Sequence, residues 1–149
     1  MKSFHKFITL NPKYQAGASR AKLVMLGSVR NEQDQERVDE LHRLLEELNL
    51  VDRVEIHTNV GYATLTEFLG RSKIGIHTMS DEHFGISIIE YMAAGLIPVA
   101  HDSAGPKLDI IVPFKNQKTG ILRLISVCLY GRKYDGGFWT LIYLKFIFK

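Results

Sequence analysis

A chain of 149 residues has room for one domain with a hydrophobic core and hardly for two. Its 46% hydrophobic and 23% charged residues exclude collagen, a coiled coil and wholesale disorder, and its single cysteine, Cys128, excludes an internal disulfide or a cysteine-based zinc site. The net charge of +3 arises in the tail, since residues 1–120 carry 14 basic and 15 acidic side chains and residues 121–149 carry five and one, so no basic stripe predicts nucleic-acid binding.

Short apolar runs alternate with amphipathic segments along the first two thirds of the chain. A helix is predicted from Lys2 to about Leu10, before Pro12. Buried strands are predicted at Lys22–Gly27, Val54–Val60, Ile74–Met79 and Ile97–His101. Further helices are predicted at Gln33–Asn49, Thr64–Ser72 and Phe84–Ala94. Strict alternation of strand and helix predicts the α/β class with a Rossmann-like parallel sheet.

Several details of these segments are also predicted. Thr64 and Glu67 fit a capping box at the start of their helix. The segment Phe84–Ala94 is apolar nearly all round, which predicts a buried helix that ends at Gly95. Residues 123–149 show neither the helical period nor the alternation of a strand. They are predicted to form a divergent tail, with one or two strands around Gly136–Gly137, separate from a domain at residues 1–122.

The turn after the third strand carries the residues that bear chemistry. Ligands of an open parallel sheet bind at the carboxyl ends of strands, close to helix N-termini. Gly85 and its neighbours offer backbone N–H groups there, which attract phosphate. Glu82 and Glu90 are eight residues apart, about 12 Å along a helix. That length is comparable to the reach from a sugar across a diphosphate to a ribose.

The spacing E-x7-E within HTMSDEHFGISIIEYMAAGLIPVAHDSAGP, followed by GPKLDI, resembles the donor-site motif of retaining GT-B glycosyltransferases. The similarity runs from about Lys22 to Leu122. It is most similar to the α-1,2-mannosyltransferases that use GDP-mannose and extend a dolichol-linked oligosaccharide on the cytosolic face of the endoplasmic reticulum membrane. The resemblance implies the C-terminal, nucleotide-sugar-binding half of a GT-B fold, with no metal and no other cofactor.

The resemblance also assigns roles to individual residues. Glu82 would contact the mannose and Glu90 the ribose, and the base would lie near Asn59–Tyr62. The further residues implied in catalysis or donor binding are His83 at the sugar, Phe84, Gly85 and Ile86 at the diphosphate, and Gly105 and Pro106 in a loop that approaches the sugar. Structural alternatives stay open, because Glu82 could cap a helix, Glu90 could lie on an exposed face and Gly105–Pro106 could form a plain turn.

The chain also departs from the resemblance. The family's domain opens with one more strand and a loop that supplies an Arg and a Lys, and Met1 falls just past that loop. An acceptor-binding N-terminal domain with a membrane anchor is expected to be missing, so this sequence alone predicts a soluble chain. A catalytically inactive truncated isoform or nucleotide-binding module is therefore the alternative function. Gly27–Ser28–Val29–Arg30 is no G-x-G-x-x-G, which excludes an NAD-type domain. The spacing of His77 and His83 disfavours a metal site.

Overall fold

The computed structural model describes residues 1–16, 20–123 and the backbone of residues 141–146. Its helices are α1 (Lys2–Leu10), α2 (Glu32–Glu47), α3 (Tyr62–Arg71) and α4 (Ile86–Ala93). Its strands are β1 (Ala21–Gly27), β2 (Val54–Thr58), β3 (Ile74–His77), β4 (Ile97–His101), β5 (Ile121–Arg123) and β6 (Leu141–Phe146). A 3-10 turn, Pro12–Tyr14, follows α1, and a π-helical turn, Pro106–Ile110, follows β4. No described helix combines the length and apolar character that crossing a bilayer requires.

The six strands form one sheet in the order β2-β1-β6-β3-β4-β5. Strand β1 is parallel to β2, and β3, β4 and β5 are parallel to one another, whereas β6 is antiparallel to both β1 and β3. The predicted α/β class with Rossmann-like parallel strands is confirmed. The strands predicted around Gly136–Gly137 lie outside the described residues, and the predicted boundary between residues 1–122 and 123–149 stays a prediction.

Strand β1 is buried on both faces, as a central strand of a doubly wound sheet must be. Alternate side chains of a strand point to opposite faces. Leu23 and Met25 pack with α1 and α2 in one core cluster, while Val24 and Leu26 pack with Leu69 of α3 and Tyr91 of α4 in a second. Helices therefore cover both faces of the sheet, and the connecting loops lie at the ends of the strands.

The predicted capping box at Thr64 is wrong. Helix α3 begins at Tyr62, and its N-cap is Gly61, which is extended (φ −73°, ψ 164°) and makes no side-chain cap bond. Thr64 therefore lies inside the first turn, where its hydroxyl cannot serve as the N-cap acceptor, because that role belongs to the residue before the helix.

Helix α4 is shorter and more exposed than predicted. It buries Ser87, Ile88 and Tyr91, but Ile86 is 65% exposed and Ile89 is 38% exposed. The helix contacts the sheet along one side only, so an apolar sequence on all sides leaves apolar groups in water. Its predicted end is confirmed, because Gly95 follows with φ +77°.

The buried face of α4 packs closely on β3. A Cβ on Gly75 of β3 would overlap the ring of Tyr91, so the missing side chain makes room for that ring. The hydroxyl of Tyr91 donates a hydrogen bond to the carbonyl oxygen of Ile76 (3.4 Å). This contact fixes the height of α4 on the sheet and so places its N-terminus near the carboxyl end of β3.

Candidate functional site

The loops after β1, β2, β3 and β4 lie at one edge of the sheet, because these strands run in the same direction. From β1 the chain moves to β2 on one side, and from β3 it moves to β4 and β5 on the other. The strand order thus reverses between β1 and β3. Open α/β sheets bind ligands at such a reversal, outside the carboxyl ends of the strands.

The loop between β3 and α4 is held by the loop after β4. The N–H of Asp81 donates to Oγ of Ser103 (2.9 Å), and Oγ of Ser103 lies 2.8 Å from Nδ1 of His101, the last residue of β4. The N–H of Gly105 donates to the carbonyl oxygen of Glu82 (3.0 Å). We call this set of contacts the loop clamp. It makes the position of Glu82 depend on the neighbouring strand.

The two loops approach so closely that Gly105 has no room for a side chain. A Cβ there would lie 2.7 Å from the carbonyl carbon of His83 and 2.9 Å from Cα of Phe84, and closer still to the carbonyl oxygen of His83. Gly105 and Pro106 are both buried. The structure therefore brings the predicted Gly105–Pro106 segment against the predicted residues His83 and Phe84.

The Glu82 side chain is 24% exposed and turns back toward the end of β3. Its Oε1 accepts a hydrogen bond from the N–H of Phe84 (3.4 Å), and its Oε2 lies 3.7 Å from Nε2 of His77. The His77 side chain is only 4% exposed. Burial lowers the pKa of His77 below its ordinary value, and the negative charge of Glu82 opposes that effect in part.

Helix α4 offers unpaired backbone donors at its start. Gly85 is its N-cap and has φ +87°, a left-handed conformation that favours glycine. Among the described residues, no acceptor is found for the N–H groups of Gly85, Ile86 and Ser87. The side chain of Phe84 is 53% exposed beside them. Such donors, together with the aligned peptide dipoles, attract an anionic group.

Glu90 lies in the second turn of α4 and is half-buried. Its carboxylate has no hydrogen-bond or ion-pair partner among the described residues, so it is free to accept from a ligand. Only the part from Ile86 to Glu90 is helical, and its four steps rise about 6 Å, so the loop spans the rest of the separation between Glu82 and Glu90. His83 is exposed, so its side chain points away from the packed interior.

The contacts that hold the loop after β1 were not predicted from the sequence. Asp34, whose side chain is 2% exposed, accepts from the N–H of Arg30 (3.0 Å), from its Nε (3.2 Å) and from Nη1 of Arg37 (3.1 Å). Asn59, after β2, accepts from the N–H of Val29 (2.9 Å). The sequence did contain a signal for this arrangement, because Asn31 followed three residues later by the acid Asp34 is typical of an N-cap and the first turn of a helix.

Open cavities lie away from this edge. One of about 370 Å³ lies between α1 and the turn before β2, and includes His5, Gln15 and Arg53. Another of about 280 Å³ lies beside Leu96 and Gly120. Neither of these two cavities includes a predicted site residue. Within the described ranges, no group of three or more His, Cys, Asp or Glu side chains is arranged to hold a metal ion.

Comparison with known proteins identifies relatives of this chain. In Neurospora crassa, a protein named GDP-Man:Man(3)GlcNAc(2)-PP-Dol alpha-1,2-mannosyltransferase is 50% identical over 103 residues, which are 69% of this chain and 18% of the relative. The Homo sapiens protein of that name is 46% identical over 113 residues, 76% of this chain and 23% of the relative. In Dictyostelium discoideum, the identity is 44% over 111 residues, 74% of this chain and 21% of the relative.

The chain thus spans less than a quarter of the length of these relatives. No solved structure matches it. The sequence profile of the family described as glycosyl transferases group 1 matches residues 1–122, which include every predicted site residue. With the relatives and the α/β fold, this match shows that the chain belongs to the glycosyl transferases group 1 family.

Proposed function

We propose that this chain supplies the donor-binding domain of a mannosyltransferase that moves mannose from GDP-mannose to a dolichol-linked oligosaccharide in α-1,2 linkage. The observation that carries the proposal is the start of α4, where N–H groups without an acceptor among the described residues lie along the chain between two carboxylates, Glu82 and Glu90. A diphosphate binds to hydrogen-bond donors and to the positive end of a helix dipole. The hydroxyl groups of the ribose and of the transferred sugar, one on each side of the diphosphate, bind to hydrogen-bond acceptors. The shared name of the relatives supports the donor and the acceptor.

In this proposal each predicted residue has one role. Glu82 accepts hydrogen bonds from mannose hydroxyls, and Glu90 accepts them from the ribose. The backbone of Phe84, Gly85 and Ile86 meets the diphosphate. His83, Gly105 and Pro106 border the sugar, an assignment that the close packing of their loops supports.

The proposed transfer breaks the bond between C1 of mannose and the β-phosphate oxygen, whose electron pair leaves with GDP. An acceptor hydroxyl forms the new bond at C1, its proton is released, and the anomeric configuration is retained. Fixed N–H donors at the start of α4 stabilise the charge that develops on the leaving diphosphate. We therefore propose that this donor site works without a metal ion or another cofactor.

The acceptor and the cellular location belong to the proposal as well. A dolichol-linked acceptor is held in a membrane, so a working enzyme must meet that membrane through segments of the relatives that this chain does not span. We propose the cytosolic face of the endoplasmic reticulum membrane as the place of action. The shared name of the relatives supports the lipid-linked acceptor, and the location follows from the resemblance.

Isothermal titration of the whole chain with GDP, GDP-mannose and UDP-glucose tests the donor site. We expect binding of the two GDP compounds and weaker binding of UDP-glucose. Glu90→Ala should raise the Kd for GDP about tenfold or more, because it removes hydrogen bonds to a charged group. Glu46→Ala is the matched control, since Glu46 is exposed on α2, and should leave the Kd unchanged.

Two results would count against the proposal. One is a folded wild-type chain that binds none of the three nucleotides, and the other is a Glu90→Ala chain that binds GDP as tightly as the wild type does. Binding of GDP-mannose without any transfer to a lipid-linked acceptor would instead identify a nucleotide-binding module, the alternative function.

A further inference from the structure

His77 ends β3 directly beneath the loop that carries Glu82. Its Nε2 lies 3.7 Å from Oε2 of Glu82, while Oε1 of the same carboxylate accepts from the N–H of Phe84. One oxygen is therefore held by the backbone of the loop and the other faces the imidazole. A separation of 3.7 Å exceeds a normal hydrogen bond, but contacts at a catalytic site often shorten once the ligand is bound.

The surroundings of His77 select one tautomer of its neutral ring. Nδ1 is buried and has no hydrogen-bond partner among the described residues. A proton on Nδ1 would be a buried donor without an acceptor, and it would leave the Nε2 lone pair facing a carboxylate oxygen. A proton on Nε2 points instead at Glu82. Both effects favour the Nε2–H tautomer, which can donate to the carboxylate.

Burial makes His77 a rigid support. The ring is 4% exposed at the end of a central strand, so neighbouring atoms restrict its rotation. Glu82, by contrast, stands in a loop and has a long side chain with several rotamers. A fixed donor that faces one carboxylate oxygen reduces the number of orientations that the carboxylate samples. Each carboxylate oxygen has a second lone pair, which stays available to a ligand.

We propose that His77 is a positioning residue, which orients the Glu82 carboxylate toward the donor sugar by donating its Nε2–H to Oε2. This inference rests on the proposed function, since it deepens the role of Glu82 at the mannose. His77 does not touch the donor in this arrangement. It acts through Glu82, and its loss should therefore weaken binding of the sugar but not of the nucleotide.

Nuclear magnetic resonance of the whole chain, without ligand, tests the contact itself. Long-range 1H–15N spectra should show the Nε2–H tautomer for His77 at neutral pH. Glu82→Gln should move the titration midpoint of His77 to lower pH, because the negative charge that favours the imidazolium is removed. A proton on Nδ1, or a His77 titration that is indifferent to Glu82→Gln, would overturn the proposal.

Calorimetry with GDP and GDP-mannose tests the consequence. A Gln amide nitrogen reaches about as far as Nε2 of His, whereas an Asn amide nitrogen reaches only as far as Nδ1. His77→Gln should keep the wild-type ratio of the two affinities, and His77→Asn should reduce the affinity for GDP-mannose about tenfold while GDP is unaffected. His42→Gln, on the exposed face of α2, is the matched control.

The two experiments separate the possible failures. If both His77 variants keep the wild-type preference for GDP-mannose over GDP, the positioning role is wrong although the donor site exists. If the folded wild-type chain binds neither ligand, the proposed function fails, and the spectra of His77 and Glu82→Gln still decide whether the two side chains interact as described.

Discussion

Gly105→Ala should disrupt the candidate site by adding a single methyl group. The new carbon would lie 2.7 Å from the carbonyl carbon of His83 and 2.9 Å from Cα of Phe84. Carbon atoms pack at about 3.5–4.0 Å, so the two loops must separate by about 1 Å. That movement also strains the 3.0 Å hydrogen bond from Gly105 to Glu82. The obstacle is backbone, which cannot turn aside as the end of a side chain does.

The magnitude follows from three opposing effects. Overpacking costs about 1–3 kcal/mol, and a weakened hydrogen bond adds about 0.5–1.5 kcal/mol. Alanine lowers the conformational entropy of the unfolded chain, which stabilises the folded state by at most about 1 kcal/mol. This gain is available because Gly105 has an ordinary helical φ of −52°, which alanine adopts without strain. We therefore expect the free energy of unfolding to fall by about 1–3 kcal/mol, and the affinity for GDP-mannose to fall with it.

Urea denaturation measures the first effect and calorimetry the second. Gly70→Ala is the control, because Gly70 lies in α3 with nothing within 4 Å of its added Cβ. There the same substitution should stabilise the chain by about 0.5–1 kcal/mol. If Gly105→Ala were as stable as the wild type and bound GDP-mannose equally well, the close approach of the two loops would not be a property of the folded protein.

Two further predictions concern charged groups. Asp34→Asn should lower the free energy of unfolding by about 1–3 kcal/mol in urea denaturation, because a buried acceptor of hydrogen bonds from Arg30 and Arg37 loses its charge. The lowered pKa of His77 means that the unfolded chain binds a proton more readily, so stability should fall as the pH drops below about 6.5. The difference between the urea midpoints at pH 7.5 and 5.0 should be smaller in His77→Gln than in the wild type. Glu55 should not contribute to this difference, because its lowered pKa affects stability only below about pH 4.5.

Much of the fold was predictable because both faces of the sheet impose a pattern on the sequence. The runs at Ala21–Gly27 and Ile97–His101 are strands that their apolar residues made predictable, although the second is only partly buried and its Ile97 is 54% exposed. The predicted start of α3 was wrong because it rested on the spacing of Thr64 and Glu67, which fits a capping box. That spacing alone does not determine the residue at which a helix begins. Pairing of β6 between β1 and β3 depends on contacts between distant segments, which no local pattern encodes.

The candidate site was predictable where its residues lie in one continuous segment of the sequence. The span Glu82–Ile86 was identified because a turn that ends in glycine directly before an apolar helix indicates a helix start that can bind phosphate. Ser103 and His101 were missed because they act on a loop about 20 residues away, and a serine or a histidine is common in any loop. His77 was considered only as a metal ligand, since its burial and its distance from Glu82 become evident only in three dimensions.

The location of these residues decides what each kind of assay tests. Apart from the base, which the resemblance places near Asn59–Tyr62, every residue assigned to donor binding lies between His77 and Pro106, in one strand–helix–strand unit with its two loops. A binding measurement on this chain therefore tests the unit itself, whose parts hold one another through the loop clamp. A transfer assay also tests acceptor binding, and this chain matches less than a quarter of the length of the relatives. Loss of binding and loss of transfer thus have different causes, and only loss of binding bears on the roles of Glu82, Glu90 and His77.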